Sequence, residues 1–183
     1  MDSSHISDNI QRAIDELAKL KTEVTLYRID PTSLSPVADP ERLLKSSISM
    51  SLQTVYSNIE NVFELLLKAS DNYRGSGDSF HKEILERASS PIEGVRPAII
   101  SQDLKSLLVH LLGFRHFVRK QYAFEVKLNL ALENFDRAEQ ALPMLKIEIQ
   151  SYLSTMAPGD HSGEDGQPGG VTARKKKGNR SSP

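Results

Sequence analysis

Apolar positions recur every three or four residues through the first segment, SSHISDNIQRAIDELAKLKTEVTLYRI, where Ile6, Ile10, Ile14, Leu17, Leu20 and Val24 form one stripe. A helical turn of about 3.6 residues returns such positions to one face, so the spacing predicts an amphipathic helix. The next stretch, PTSLSPVADP, carries three prolines and predicts an irregular connection. Asp39, Pro40 and Glu41 then read as an N-cap, a first-position proline and a first-turn acid. Behind them, Leu44, Ile48, Leu52, Val55, Ile59, Val62, Phe63 and Leu66 mark the buried side of a long second helix.

Two glycines in DNYRGSGDS break that helix, HKEILERA predicts a short one, and SSPIEGVRP is another connection. Ser101 is placed to cap a fourth helix, with Asp103 near its positive end. That helix is expected to run through QDLKSLLVHLLGFRHFVRKQY. A last one should cover roughly Lys127 to Met156, kinked or split at Pro143. No segment alternates in the manner of a strand. The expectation is an all-α bundle of about five helices, forming one helical domain over residues 1–156.

From Ala157 the chain reads APGDHSGEDGQPGGVTARKKKGNRSSP, which holds six of the ten glycines and almost no large apolar side chain. Such a segment cannot bury enough surface to offset its ordering entropy, so residues 157–183 are expected to be a disordered, Gly/Pro-rich and basic tail. This tail holds five Lys or Arg and three Asp or Glu, leaving the body with 18 basic and 21 acidic residues, a net of −3. A mildly acidic body argues against a broad nucleic-acid-binding surface but leaves room for a small basic site. ARKKKGNR itself reads either as a solvated run of like charge or as a contact for RNA.

Cysteine is absent, which excludes disulfides and thiolate metal sites and fits a reducing cytoplasm. No apolar run reaches the roughly 20 residues of a membrane-spanning helix, and MDSSHISDNI lacks the order of a signal peptide. The localisation expected is cytoplasmic, with no membrane partner. His81 with Glu83, His5 with Asp8, and Asp78 with His81 are pairs of metal-ligand types, yet none makes a three-ligand set at helical spacing. Neither a metal nor a cofactor is expected.

The fourth helix carries the unusual feature. At about 100° per residue, Leu104, Leu108, Leu111, Arg115, Val118 and Tyr122 project on nearly one side, so a guanidinium and a phenol continue a leucine stripe. A charge on an apolar stripe has to pair, snorkel or face a partner. Arg119 lies about 60° from the centre of that stripe, and His116 and Lys120 point further away on a regular helix. One reading is a basic cluster at a helix C-terminus, where it meets the negative end of the dipole. The other is a polar pocket between helices or between two copies of the chain.

The stretches YSNIENVFELLLKASD, GDSFHKEIL, RPAIISQDLKSLLVHLLGF and FRHFVRKQYAFEV, in this order over roughly residues 50 to 150, resemble the HepT-like proteins of the HEPN superfamily. The resemblance implies an antiparallel helical bundle that forms a homodimer. It also implies a metal-independent ribonuclease toxin of a toxin–antitoxin pair, with a nucleotidyltransferase antitoxin as partner. Active members carry an Arg, four to six residues, a His, and then usually one residue and a Tyr. On this chain the Arg falls on Arg115 and the Tyr on Tyr122, the residue that the antitoxin would adenylylate. The His position falls on Lys120, and the next histidine after His116 is His161 in the tail.

The resemblance therefore assigns Arg115, Lys120 and Tyr122 as the catalytic set and Arg119 and His116 as phosphate-binding. The substitution at Lys120 bears directly on the chemistry. A group that takes the proton of a 2′-hydroxyl works near neutral pH, which suits an imidazole of pKa about 6.5. An ammonium of pKa about 10.4 holds phosphate instead, unless its pKa is strongly depressed. Two readings stand side by side. One is a toxin-like protein that binds and cleaves RNA, and the other is a non-catalytic dimerisation and interaction module. A third, an unrelated helical scaffold, would be a monomer.

Overall fold

Asp39 begins the longest helix as its sequence context requires. Its carboxylate accepts the Arg42 N–H at 2.9 Å, and Pro40, which has no N–H to leave unsatisfied, takes the first helical position. The computed structural model describes residues 3–32, 39–75, 77, 79–120 and 125–156. Five helices are found among them: α1 (Ser3–Ile29), α2 (Pro40–Asp71), α3 (Phe80–Ala88), α4 (Gln102–Lys120) and α5 (Leu128–Met156). The β structure among the described residues is one isolated bridge, Ile92 with Arg96. The tail expected over residues 157–183 lies outside the described residues.

The apolar stripes meet in one core. The α2 residues Leu44, Ile48, Leu52, Val55, Ile59, Val62, Phe63 and Leu66 are all buried, as are Leu104, Leu108, Leu111 and Val118 of α4. On α1, Ile6, Ile10, Leu17, Leu20 and Val24 are buried and Ile14 is half-buried. α1 lies along α2, α5 packs on α1, α2 and α4, and the short α3 rests on both α2 and α4. That position of α3 matters below, because it brings a side chain from outside α4 to the polar end of α4.

Pro143 departs from expectation. α5 continues through it without a break, and the residue is exposed. A proline removes one backbone hydrogen bond, but Leu142 before it and Leu145, Ile149 and Tyr152 beyond it are all buried. Their packing holds the helix together across the missing bond. The start of α4 follows the sequence closely: Ser101 Oγ accepts the Leu104 N–H at 3.2 Å, and Glu148 of α5 accepts from both the Ser101 N–H and its hydroxyl at 2.7 Å.

The connection between α3 and α4 is pinned by a fully buried arginine. The Arg96 side chain has 0% exposure, and it donates to Asp71 Oδ2 at 3.1 Å and to the carbonyls of Ser90, Pro97 and Arg87 at 2.9–3.0 Å. Arg87 shares the same carboxylate oxygen at 3.2 Å and lies 4.4 Å from the centre of the Tyr73 ring. Asp71 thus neutralises a charge that has no access to water. Replacing it by Ala strands Arg96, so Asp71→Ala is expected to cost about 3–5 kcal/mol of unfolding free energy, measured by urea denaturation. Glu41→Ala, which removes an exposed carboxylate paired with Lys45 at 3.4 Å, is expected to change it by less than about 1 kcal/mol.

Candidate functional site

Two helices present opposite charges on faces that are otherwise apolar. On α2, Glu60 follows Ile59 on the buried side and is only 5% exposed. On α4, Arg115 continues the leucine stripe, with 13% of its side chain exposed. They meet where the helices pack: Arg115 Nη2 lies 3.3 Å from Glu60 Oε2. The guanidinium also sits 5.7 Å from the centre of the buried Tyr56 ring, one turn before Glu60. Of the three options for a charge on an apolar stripe, Arg115 takes the first and pairs.

The short helix α3 adds a third member. His81 Nδ1 is 2.5 Å from Glu60 Oε1, and Arg115 Nη1 is 3.4 Å from His81 Nε2. The two side chains meet as a close polar contact outside hydrogen-bond geometry, and neither Glu60 Oε1 nor His81 Nδ1 has a hydrogen-bond partner among the described residues. The His81 ring meets the His116 ring edge to face at a centroid separation of 5.7 Å. Glu60, His81, Arg115 and His116 therefore form one connected cluster drawn from three helices.

Outward from this cluster opens a recess of about 440 Å³ lined by Gly77, His81, His116, Arg119 and Lys120. His116, Arg119 and Lys120 are exposed, so the recess joins a cationic rim to a half-buried interior. His116 points away from the apolar stripe of α4, as its position on a regular helix requires, and still joins the site because α3 covers that flank. Tyr122 lies outside the described residues. Arg115, His116, Arg119 and Lys120 thus come together, joined by Glu60 and His81, which the reading of the sequence left out of the site.

The surroundings set the charge states. Burial pushes the Glu60 carboxyl up to about 7, against the pull of Arg115, with Glu64 adding to the rise and Arg119 opposing it. Burial holds His81 below its ordinary range, and Arg115 and Arg119 act in the same direction. His116 is lowered by burial first and then by His81, Arg115, Arg119 and Lys120. Burial also raises the Tyr56 phenol, so it stays protonated. Both imidazoles thereby give up a proton more readily than a free histidine, beside fixed cations.

Among the described residues no group of three or more His, Asp or Glu could hold a metal ion. The ligand types considered from the sequence are used otherwise. His81 turns to Glu60, and Glu83 accepts hydrogen bonds from the Ser79 hydroxyl and, at 2.9 Å, from the Tyr73 hydroxyl. Asp78 lies outside the described residues.

Glu60 makes a testable contribution to pH-dependent stability. Between its ordinary value of 4.5 and about 7 the folded protein keeps a proton that the unfolded chain releases. Stability from this group therefore falls as pH rises through that window, by about 3 kcal/mol in all. The lowered imidazoles contribute the opposite slope below their ordinary values. Urea unfolding at pH 4.5 to 7.5 should show the wild-type advantage over Glu60→Gln shrinking by roughly that amount as pH rises. Parallel curves for the two proteins would contradict the assignment.

The family model described as HepT-like protein matches residues 47–156. No curated protein and no solved structure matches the chain. The matched span begins within α2 and ends with α5, so Glu60, His81, Arg115, His116, Arg119 and Lys120 all fall inside it. With more than half of its 183 residues matched in this way, the chain belongs to the HepT-like family.

Proposed function

We propose that this protein is a HEPN-type toxin-like protein that binds single-stranded RNA at the recess between α3 and α4, as a homodimer and under the control of a nucleotidyltransferase antitoxin. The observation that carries the RNA part is the convergence of Arg119, Lys120, His116 and His81 on one recess, with Arg115 against His81, in a chain whose body is otherwise net acidic. A local cationic site of this kind takes a phosphodiester through charge-assisted hydrogen bonds, and an arginine fork fits two phosphate oxygens at once. The homodimer and the antitoxin rest on membership of the HepT-like family. Adenylylation would fall on Tyr122, two residues after Lys120.

One observation favours a second reading, the non-catalytic interaction module. Glu60 already meets the charge of Arg115, so the ion pair also serves to lock α2 against α4. In that reading the Arg115→Ala variant loses stability, because Glu60 is left without its cation, and any RNA affinity resides in the exposed residues alone.

The two surface cations separate binding from folding. Arg119→Ala and Lys120→Ala remove exposed charges from the rim and should leave the melting temperature unchanged. Fluorescence anisotropy with labelled single-stranded RNA, over a salt series, should show affinity falling about tenfold in the double variant. The slope of log K against log salt should become shallower by roughly 1.4, since each lost phosphate contact removes about 0.7. Unchanged affinity and slope would refute RNA binding at this recess. Incubation with a nucleotidyltransferase antitoxin and ATP should add the mass of one AMP to the wild type and none to Tyr122→Phe.

A further inference from the structure

α4 lacks a histidine at the position where the HepT-like resemblance leads one to expect it, because Lys120 stands there. The recess nevertheless contains two imidazoles, one from α4 itself and one supplied by α3. Their setting is specific. A guanidinium can only donate, so Arg115 Nη1 facing His81 Nε2 at 3.4 Å makes that nitrogen the acceptor. The ring proton of neutral His81 is then on Nδ1, which faces Glu60 Oε1 at 2.5 Å. An acid close to one ring nitrogen, and a lone pair on the other held by the donor Arg115 at the edge of a cationic recess, place His81 to accept a proton there.

We propose that His81, oriented by Glu60, is the proton acceptor and His116 the proton donor of a metal-free RNA-cleavage site, so that a residue from α3 fills the role that α4 leaves open. The inference rests on the RNA-binding reading above and adds the catalytic pair to it. His81 Nε2 takes the proton of a 2′-hydroxyl as the 2′ oxygen bonds to the adjacent phosphorus. The bond from phosphorus to the 5′ oxygen breaks, and that oxygen leaves with the proton of the His116 imidazolium. The products are a 2′,3′-cyclic phosphate and a 5′-hydroxyl, and exchange with water restores both rings. Arg115 and Arg119 neutralise the charge that develops on the non-bridging oxygens.

The groups facing His81 agree with this division. Glu60 and Glu64 approach from α2, and Arg115, His116 and Arg119 from α4. The cations add to the lowering of His81 and leave it able to accept a proton, while Glu60 supports the positive charge it acquires during the step. Glu60 is a positioning residue, since it acts through His81 and reaches no substrate atom. Lys120 stays at the rim as a phosphate contact.

The test uses the full-length protein, a single-stranded RNA oligonucleotide, and a matched oligonucleotide with sulfur in place of the bridging 5′ oxygen at the cleaved position. A thiolate departs without needing a proton, so the sulfur substrate makes the donor dispensable but not the acceptor. His81→Ala should lower cleavage of both substrates about 100-fold or more at saturating RNA, a loss in kcat and not only in affinity. His81→Gln should do the same, and melting temperatures of both variants report that the fold is intact. His116→Ala should show a comparable loss on ordinary RNA and recover most of the rate on the sulfur substrate. Glu60→Gln should move the acid limb of the kcat/KM profile to lower pH, which a purely structural role would not do.

Each outcome has a distinct meaning. Wild-type rates in both His81 variants overturn the acceptor assignment while RNA binding stands. An equal loss on both substrates in His116→Ala overturns the donor assignment. A wild type that binds RNA without cleaving either substrate overturns the catalytic pair and leaves the interaction module. A wild type that neither binds nor cleaves RNA removes the proposed function itself.

Discussion

The ion pair between Glu60 and Arg115 is the constraint on which the rest of the site depends. A carboxylate on the buried face of α2 and a guanidinium on the buried face of α4 would each be prohibitively costly alone. Together they fix the register of the two helices, since sliding either by one turn would strand both charges against leucine or phenylalanine. The Glu60 carboxyl nevertheless sits at about 7, well above its ordinary range. Burial thus outweighs the attraction of Arg115 in setting the charge state of the carboxyl. A strained charge state of this kind, beside a cationic recess and two imidazoles, is what a site for proton transfer and anion binding requires.

From that pair the properties of the recess follow outward. His81 lies against the second oxygen of Glu60, and the Arg115 guanidinium at its Nε2 makes that nitrogen the acceptor. The arginines that would hold a phosphate also add to the lowering of both imidazoles below their ordinary range. The polarity is graded: Arg115 is half-buried where electrostatic interactions are strong, whereas Arg119 and Lys120 stand in water where they serve attraction over distance.

How much of this was legible in the sequence differs by residue. The stripes on α1, α2 and α4, the Asp39-Pro40 start of α2 and the Ser101 cap were readable because they are local rules of helix geometry. Arg115 was readable for the same reason, as a charge in a position that periodicity reserves for leucine. Glu60 was not, although it breaks the apolar face of α2 just as Arg115 breaks that of α4. A stripe of eight apolar residues absorbs one acid without losing its period, and only the two exceptions taken together signal a pair. His81 was hidden for another reason. Its place depends on how the turn after Asn72, which adopts the left-handed φ of 55°, directs α3 across α2 and α4, and no spacing rule within one helix can express that. Pro143 shows the reverse case, where a strong local signal for a break yields to packing on both sides of it.

A comparison of two arginines shows why one is structural and the other is available for chemistry. Arg96 is sealed in the connection before α4 and spends its two terminal nitrogens on three carbonyls and the Asp71 carboxylate. Its remaining donor, Nε, is buried without a partner, and a side chain with no exposed surface offers a ligand no approach. Arg115 has one carboxylate oxygen at 3.3 Å and an imidazole nitrogen at 3.4 Å, both at the long end of hydrogen bonding, and it retains some exposure toward the recess. A phosphate oxygen approaching Nη1 would replace a weak contact with a charge-assisted one, and it would free His81 Nε2 at the same moment. In the proposed reading, binding of the anion and release of the base would then be a single event, with the acceptor held in reserve until a phosphodiester arrives.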